Sequence, residues 1–229
     1  SHLTHELVEA RNPRWDRVLW CFTLVGNTPV MSALASSAVL LLAVWGRLSR
    51  AILMAGALAS AQGVSSAAKA LAHHARPPQA LALIKLPGSF SLPSGHAFLT
   101  LLFLGLLVFL LFRGIGLGGP RARGAGRLRP WLLLGVTTIV AATIEAFVGL
   151  SRVYLGVHWA SDVLAGWFIG GAWLALSFGT FLAWERGPRP LGDRRPWGSR
   201  ASRVALAVAL GLIVAVTVVL AAWADPLLV

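Results

Sequence analysis

Six long apolar stretches, separated by short breaks rich in arginine, restrict this chain more than any other feature of its sequence. They run over 29–45, 51–73, 94–112, 130–150, 159–184 and 201–224. A helix needs roughly 20 apolar residues to cross a bilayer, and each stretch approaches or exceeds that. Inside hydrocarbon, backbone N–H and C=O groups must be satisfied within the segment, so stretches of this kind become helices. The sequence therefore predicts an all-α, six-transmembrane-helix bundle, folded as a single membrane-embedded domain over 1–229. Composition agrees: 57% of the 229 residues are hydrophobic and 12% are charged, against about a quarter charged in soluble domains. Pro13–Val25 reads as an N-terminal amphipathic helix lying at the interface, with Arg14, Asp16 and Arg17 on its wet side. A plain extension of the first span fits that segment equally well.

The net charge is +12, carried in short runs between the apolar stretches. That placement suits anionic headgroups and control of topology, and it excludes nucleic acid, whose single-strand binders interleave base with aromatic residues. With six spans, one side receives Arg47, Arg50 and the arginines of two Gly/Arg-rich loops over 114–129 and 186–200. The other side receives fewer: Arg11, Arg14, Arg17, Lys69, Arg76, Lys85 and Arg152. By the positive-inside rule the first set is cytoplasmic, and both termini face outward. The lone cysteine, Cys21, excludes an internal disulfide. The chain opens on Ser1-His2 without an initiator methionine, as a piece of a longer protein would.

Three segments put polar residues where a membrane protein avoids them: KALAHHARP over 69–77, PSGH over 93–96 and SRVYLGVHWASD over 151–162. In the six-span arrangement all three fall on the outward face. Lys69, Arg76 and Arg152 are three cations that would repel one another if clustered; an anion with several oxygens would relieve that repulsion, and phosphate is the natural candidate. Ser94 stands at an expected helix N-terminus, and Gly95 after it lets the backbone approach a ligand. His96 and His158 are two titratable groups fit for a nucleophile and a general acid. Asp162, four residues after His158, shares its helix face and is placed to fix the imidazole tautomer.

In their order and internal spacing these segments resemble the type 2 phosphatidic acid phosphatase superfamily, which includes vanadium haloperoxidases and bacterial acid phosphatases. Its signature is KxxxxxxRP, PSGH and SRxxxxxHxxxD, and every fixed position is matched between Lys69 and Asp162. The resemblance implies a membrane phosphatase acting on a lipid. His158 would attack phosphorus, Asp162 would orient it, and His96 would protonate the leaving oxygen and later activate water. Lys69, Arg76, Arg152, Ser94 and the Gly95 amide would hold the phosphoryl oxygens. It also implies that no metal or other cofactor is needed, and the sequence offers no carboxylate cluster for Mg²⁺.

The implied partner is a lipid phosphate in the bilayer, handled on the outer face of a bacterial cytoplasmic membrane; a composition high in Ala, Arg and Gly with two lysines points to a GC-rich bacterial genome. Undecaprenyl diphosphate is the first expectation. Phosphatidylglycerophosphate, phosphatidic acid and lipid A 1-phosphate meet the same requirement, and spacing does not separate them. A phosphotransferase using the same phosphohistidine, and a transporter or scramblase with a degenerate site, are the other readings. Outside the signature, Glu145 within the fourth span and Lys85 before PSGH are accessory candidates, since intramembrane carboxylates tend to be functional. His73, His74, Tyr154 and Trp159 read as interfacial residues.

Overall fold

The computed structural model describes residues 2–114, 128–186 and 200–223. The arginine-rich loops expected over 114–129 and 186–200 lie, apart from their helical ends, outside the described residues. Within the described residues the chain is helical, with no strand: α1 (His2–Glu9), α2 (Pro13–Val25), α3 (Thr28–Val44), α4 (Leu48–Ala72), α5 (Gly95–Gly114), α6 (Leu128–Tyr154), α7 (Ala160–Arg186) and α8 (Arg200–Trp223), plus one 3-10 turn, Gln79–Leu81.

Four of these helices contain stretches long and apolar enough to cross a membrane: Leu48–Ala72, Gly95–Arg113, Trp131–Tyr154 and Ala160–Arg186. They match four of the six predicted segments to within a few residues. The first segment has a different form. Pro13–Val25 and Thr28–Val44 pass the same test only as a pair, bent by 46°. The break has a local cause: Gly26 and Asn27 interrupt the helix, and Pro29 in the first turn of α3 cannot donate a backbone N–H. In α8 the apolar stretch is shorter, Leu206–Val219. The described helices thus give four spans, or five if the bent pair is one.

Capping explains where α2 begins and α4 stops. Asn12 Oδ1 accepts from the backbone N–H groups of Arg14 and Trp15, both at 3.1 Å, with Pro13 opening the helix. His73, at φ 45°, forms a left-handed cap whose N–H bonds to the Lys69 carbonyl. The chain then leaves the helix and carries His74 and Arg76 across the end of the bundle.

The core forms around α5, whose Phe98, Leu102 and Leu106 are fully buried with Met54 of α4 and Phe181 of α7. Small residues bring α7 onto α5. A Cβ on Gly166 would stand 2.8 Å from the Ser94 carbonyl oxygen, a backbone atom with little freedom to yield. Gly166→Val is therefore expected to destabilise the fold by about 1–3 kcal/mol. Gly171→Val, at a position with nothing within 4 Å, should leave the thermal midpoint in detergent nearly unchanged; equal midpoints for the two variants would show that the close approach is unimportant.

Charge marks the two ends of the bundle. Arg113 and Arg50, on α5 and α4, both pair with Glu185 of α7. The opposite end gathers the close of α4, the start of α5, the close of α6 and the start of α7, which carry the three polar segments.

Candidate active site

The three segments meet at that end and are bonded directly to one another. The Ser94 N–H donates to the Asp162 carbonyl at 2.9 Å, Lys69 Nζ donates to the Pro93 carbonyl at 2.7 Å, and just outside the segments the Ser91 N–H donates to the His74 carbonyl at 2.8 Å. Helix α5 starts at Gly95, and the Phe98 N–H bonds the Ser94 carbonyl at 3.0 Å, so Ser94 occupies the expected N-terminal position. Around these residues is a cavity of about 520 Å³, lined at its charged end by Lys69, Arg76, His96, Arg152 and His158 and, between α3, α4 and α5, by residues such as Met31, Ala35, Leu58 and Leu99. Its size is that of a small-molecule site. Gly95 also lines it; Asp162 stands behind His158, and Ser94 Oγ is buried without a hydrogen-bond partner.

His158 has a defined tautomer. Arg76 Nη1 lies 3.3 Å from its Nε2, and a guanidinium can only donate, so Nε2 accepts and carries the lone pair. In the neutral ring the proton is then on Nδ1, which faces Ser91 Oγ at 3.2 Å and Asp162 Oδ2 at 3.4 Å. Burial, opposed in part by the Asp162 hydrogen bond and aided by Arg152, Arg76 and Lys69, brings the His158 pKa down to about 3. The ring is therefore neutral at physiological pH, with its lone pair among the cations.

Asp162 is fully buried and accepts from four directions. Oδ2 takes the Ser91 hydroxyl, the Trp159 N–H at 2.8 Å and His158 Nδ1, and Oδ1 takes His74 Nδ1 at 3.0 Å. His74 and Ser91, which the signature does not fix, thus touch the carboxylate directly. Trp159 adds its indole N–H to the Ala75 carbonyl at 3.0 Å.

Two of the three cations also fasten the segment before α5. Lys69 Nζ donates to the carbonyls of Pro93 (2.7 Å), Phe90 (3.0 Å) and Ser91 (3.4 Å). Arg76 donates to the Ser89 carbonyl at 2.8 Å and to Val157 O at 2.7 Å, and burial pushes its pKa down. Arg152, 4% exposed, donates to Thr23 Oγ1.

The accessory candidates stand apart. Lys85 is exposed and does not line the cavity. Glu145 lies in a second, apolar groove of about 680 Å³ between α5, α6 and α7, where Oε1 accepts from Trp167 Nε1 at 2.7 Å. Tyr154, expected at the interface, is buried, and its hydroxyl donates to Asp16 at 2.8 Å. Among the described residues no group of three or more His, Cys, Asp or Glu side chains is placed to hold a metal ion.

Comparison with known proteins places these observations. The PAP2 superfamily model matches residues 50–186. The chain is similar to phosphatidylglycerophosphatase B of Bacillus subtilis (strain 168), 32% identical over 82 residues, or 36% of this chain and 34% of that protein. It is likewise similar to an undecaprenyl-diphosphatase of Sulfolobus acidocaldarius, 34% identical over 90 residues, or 39% of this chain and 32% of that protein. The matched stretch is thus about a third of either relative's length. A crystal structure of a transmembrane PAP2-type phosphatidylglycerolphosphate phosphatase from Bacillus subtilis has the same fold: TM-score 0.64 at 22% identity, covering 82% of this chain and 86% of that one.

Proposed function

The chain belongs to the PAP2 superfamily, and on that premise we propose that it is a membrane lipid phosphatase working through a phosphohistidine. The observation that carries this reading is the lone pair on His158 Nε2, held toward a cationic cavity by Arg76 on one side and by Asp162 and Ser91 on the other.

His158 Nε2 attacks the terminal phosphorus, the bond from that phosphorus to the leaving oxygen breaks (the ester oxygen of a lipid monophosphate, the bridging oxygen of a diphosphate), and His96 gives its proton to that oxygen. His96 then takes a proton from water as the water attacks the phosphohistidine, releasing phosphate and restoring the Nε2 lone pair. Arg76, Arg152 and Lys69, with Ser94 Oγ and the Gly95 amide, hold the phosphoryl oxygens and stabilise the charge that builds on them. Asp162 fixes the His158 tautomer. Lys85 and Glu145 take no part. No step uses a metal.

In the full arrangement α8 serves as the sixth span, the start of α2 lies at the interface, and the 229 residues form one domain. Arg47, Arg50, Arg113 and Arg186 then mark the cytoplasmic end, and the site faces outward from a bacterial inner membrane. Undecaprenyl diphosphate is the leading substrate and phosphatidylglycerophosphate the second. Each is named by a relative of similar identity.

The test is a phosphate-release panel over these lipids, phosphatidic acid and lipid A 1-phosphate, run in excess EDTA. Release should persist there and should be inhibited by vanadate, which mimics a trigonal-bipyramidal phosphorus. Loss in EDTA that Mg²⁺ restores would sink the metal-free mechanism. Labelled phosphate appearing on an acceptor lipid instead of in solution would make the chain a phosphotransferase.

A further inference from the structure

We propose that the bent pair α2–α3, which precedes the matched family region, is a working wall of the active site, with Thr23 positioning Arg152 and Gly26 positioning His96. The inference rests on the phosphatase reading of that site. Thr23 lies in the last turn of α2, 3% exposed, and its Oγ1 accepts from Arg152 Nη1. Gly26 follows, buried at the break, and lines the cavity. A Cβ there would fall 2.7 Å from His96 Cδ2, 2.9 Å from Cγ and 3.0 Å from Cβ, so His96 occupies the space a side chain at residue 26 would need. Any side chain would push His96 out of place.

The wall is secured at its other end as well. Arg11, just before α2, donates through Nη2 to the carbonyls of Leu81 (2.7 Å) and Tyr154 (2.6 Å), and the Tyr154 hydroxyl meets Asp16 within α2. Helix α2 is thus tied to the third polar segment at residue 154 near its start and at residue 152 near its end. The 46° bend falls between Thr23 and α3, with Gly26 at the break. Thr23 and Gly26 are positioning residues, acting through groups that meet the substrate.

Two substitutions separate the roles. kcat/KM reports steps up to leaving-group departure, and an alkyl oxygen needs a proton there, whereas 4-nitrophenolate hardly does. Gly26→Ala should lower kcat/KM at least about tenfold on phosphatidic acid, an alkyl monoester, but no more than about threefold on 4-nitrophenyl phosphate. Thr23→Val, which keeps the shape and removes the acceptor, should lower both about tenfold and weaken calorimetric binding of inorganic phosphate to the same degree. Thr23→Ser should restore both. Equal losses on the two esters in Gly26→Ala would overturn the role of Gly26. Phosphate affinity unchanged in Thr23→Val would overturn that of Thr23. If the wild-type chain binds phosphate but hydrolyses no ester, the phosphatase reading fails and the positioning of His96 fails with it, while the calorimetry still decides Thr23. A wild-type chain that binds no phosphate overturns every part.

Discussion

His158→Ala should abolish phosphate release, with kcat/KM falling by about 10⁴-fold or more, the scale seen when a covalent nucleophile is removed. The structure makes this loss specific. His158 is 2% exposed, and its Nε2 is the unprotonated nitrogen turned toward the cations. A pKa of about 3 keeps it neutral across the physiological range, so nucleophile is available without a separate base to deprotonate it. Alanine removes that lone pair and leaves Lys69, Arg76 and Arg152 in place. The variant should still bind inorganic phosphate while forming no acid-labile phosphoenzyme from labelled substrate. Residual hydrolysis within tenfold of wild type, or labelled phosphoenzyme in the variant, would rule out His158 as nucleophile.

The positions proposed for this chemistry stand out in the sequence because they are polar residues at fixed spacing in a chain that is otherwise apolar. Residues 69–77, 93–96 and 151–162 stood out for that reason, and the structure bonds them together. Their neighbours were less legible. Ser91 reads as an ordinary loop serine two residues before Pro93, and His74 as one of a pair of interfacial histidines. Each reaches Asp162 only because the segment after α4 folds over the bundle end. Lys69 and Arg76 were read as phosphate ligands alone, since a carbonyl acceptor in a distant loop leaves no mark on the sequence. Four of the six spans were located to within a few residues, because hydropathy acts over twenty residues. The break before the first span was visible in the Gly26-Asn27-Pro29 cluster, but its 46° angle was not, since those residues end one helix without fixing the direction of the next. Tyr154 was placed at the interface because its burial depends on α2, whose contact with α6 no periodicity reveals.

Asp162→Asn is expected to cost about 10³–10⁴-fold in kcat while leaving the fold intact, the range found when a triad aspartate loses its charge. All four groups around this carboxylate can donate: the Ser91 hydroxyl, the Trp159 N–H, His158 Nδ1–H and His74 Nδ1–H. A carboxylate accepts all four, because it has only acceptor sites. An asparagine has one carbonyl oxygen and one NH₂ group, so at least one donor must turn away. The Trp159 N–H is backbone and cannot turn, whereas His74 is half-exposed and can switch tautomer. The expected arrangement keeps the amide oxygen on Trp159 and Ser91 and turns the NH₂ toward His74, which preserves the packing. The negative charge behind His158 is lost even so, and it is needed as the ring becomes positive in the transition state and in the phosphohistidine. The loss should therefore fall on kcat, with KM little changed and the thermal midpoint close to wild type. A fall of less than tenfold would mean that Ser91 alone holds the imidazole, and the assignment of Asp162 as its orienting group would have to be withdrawn.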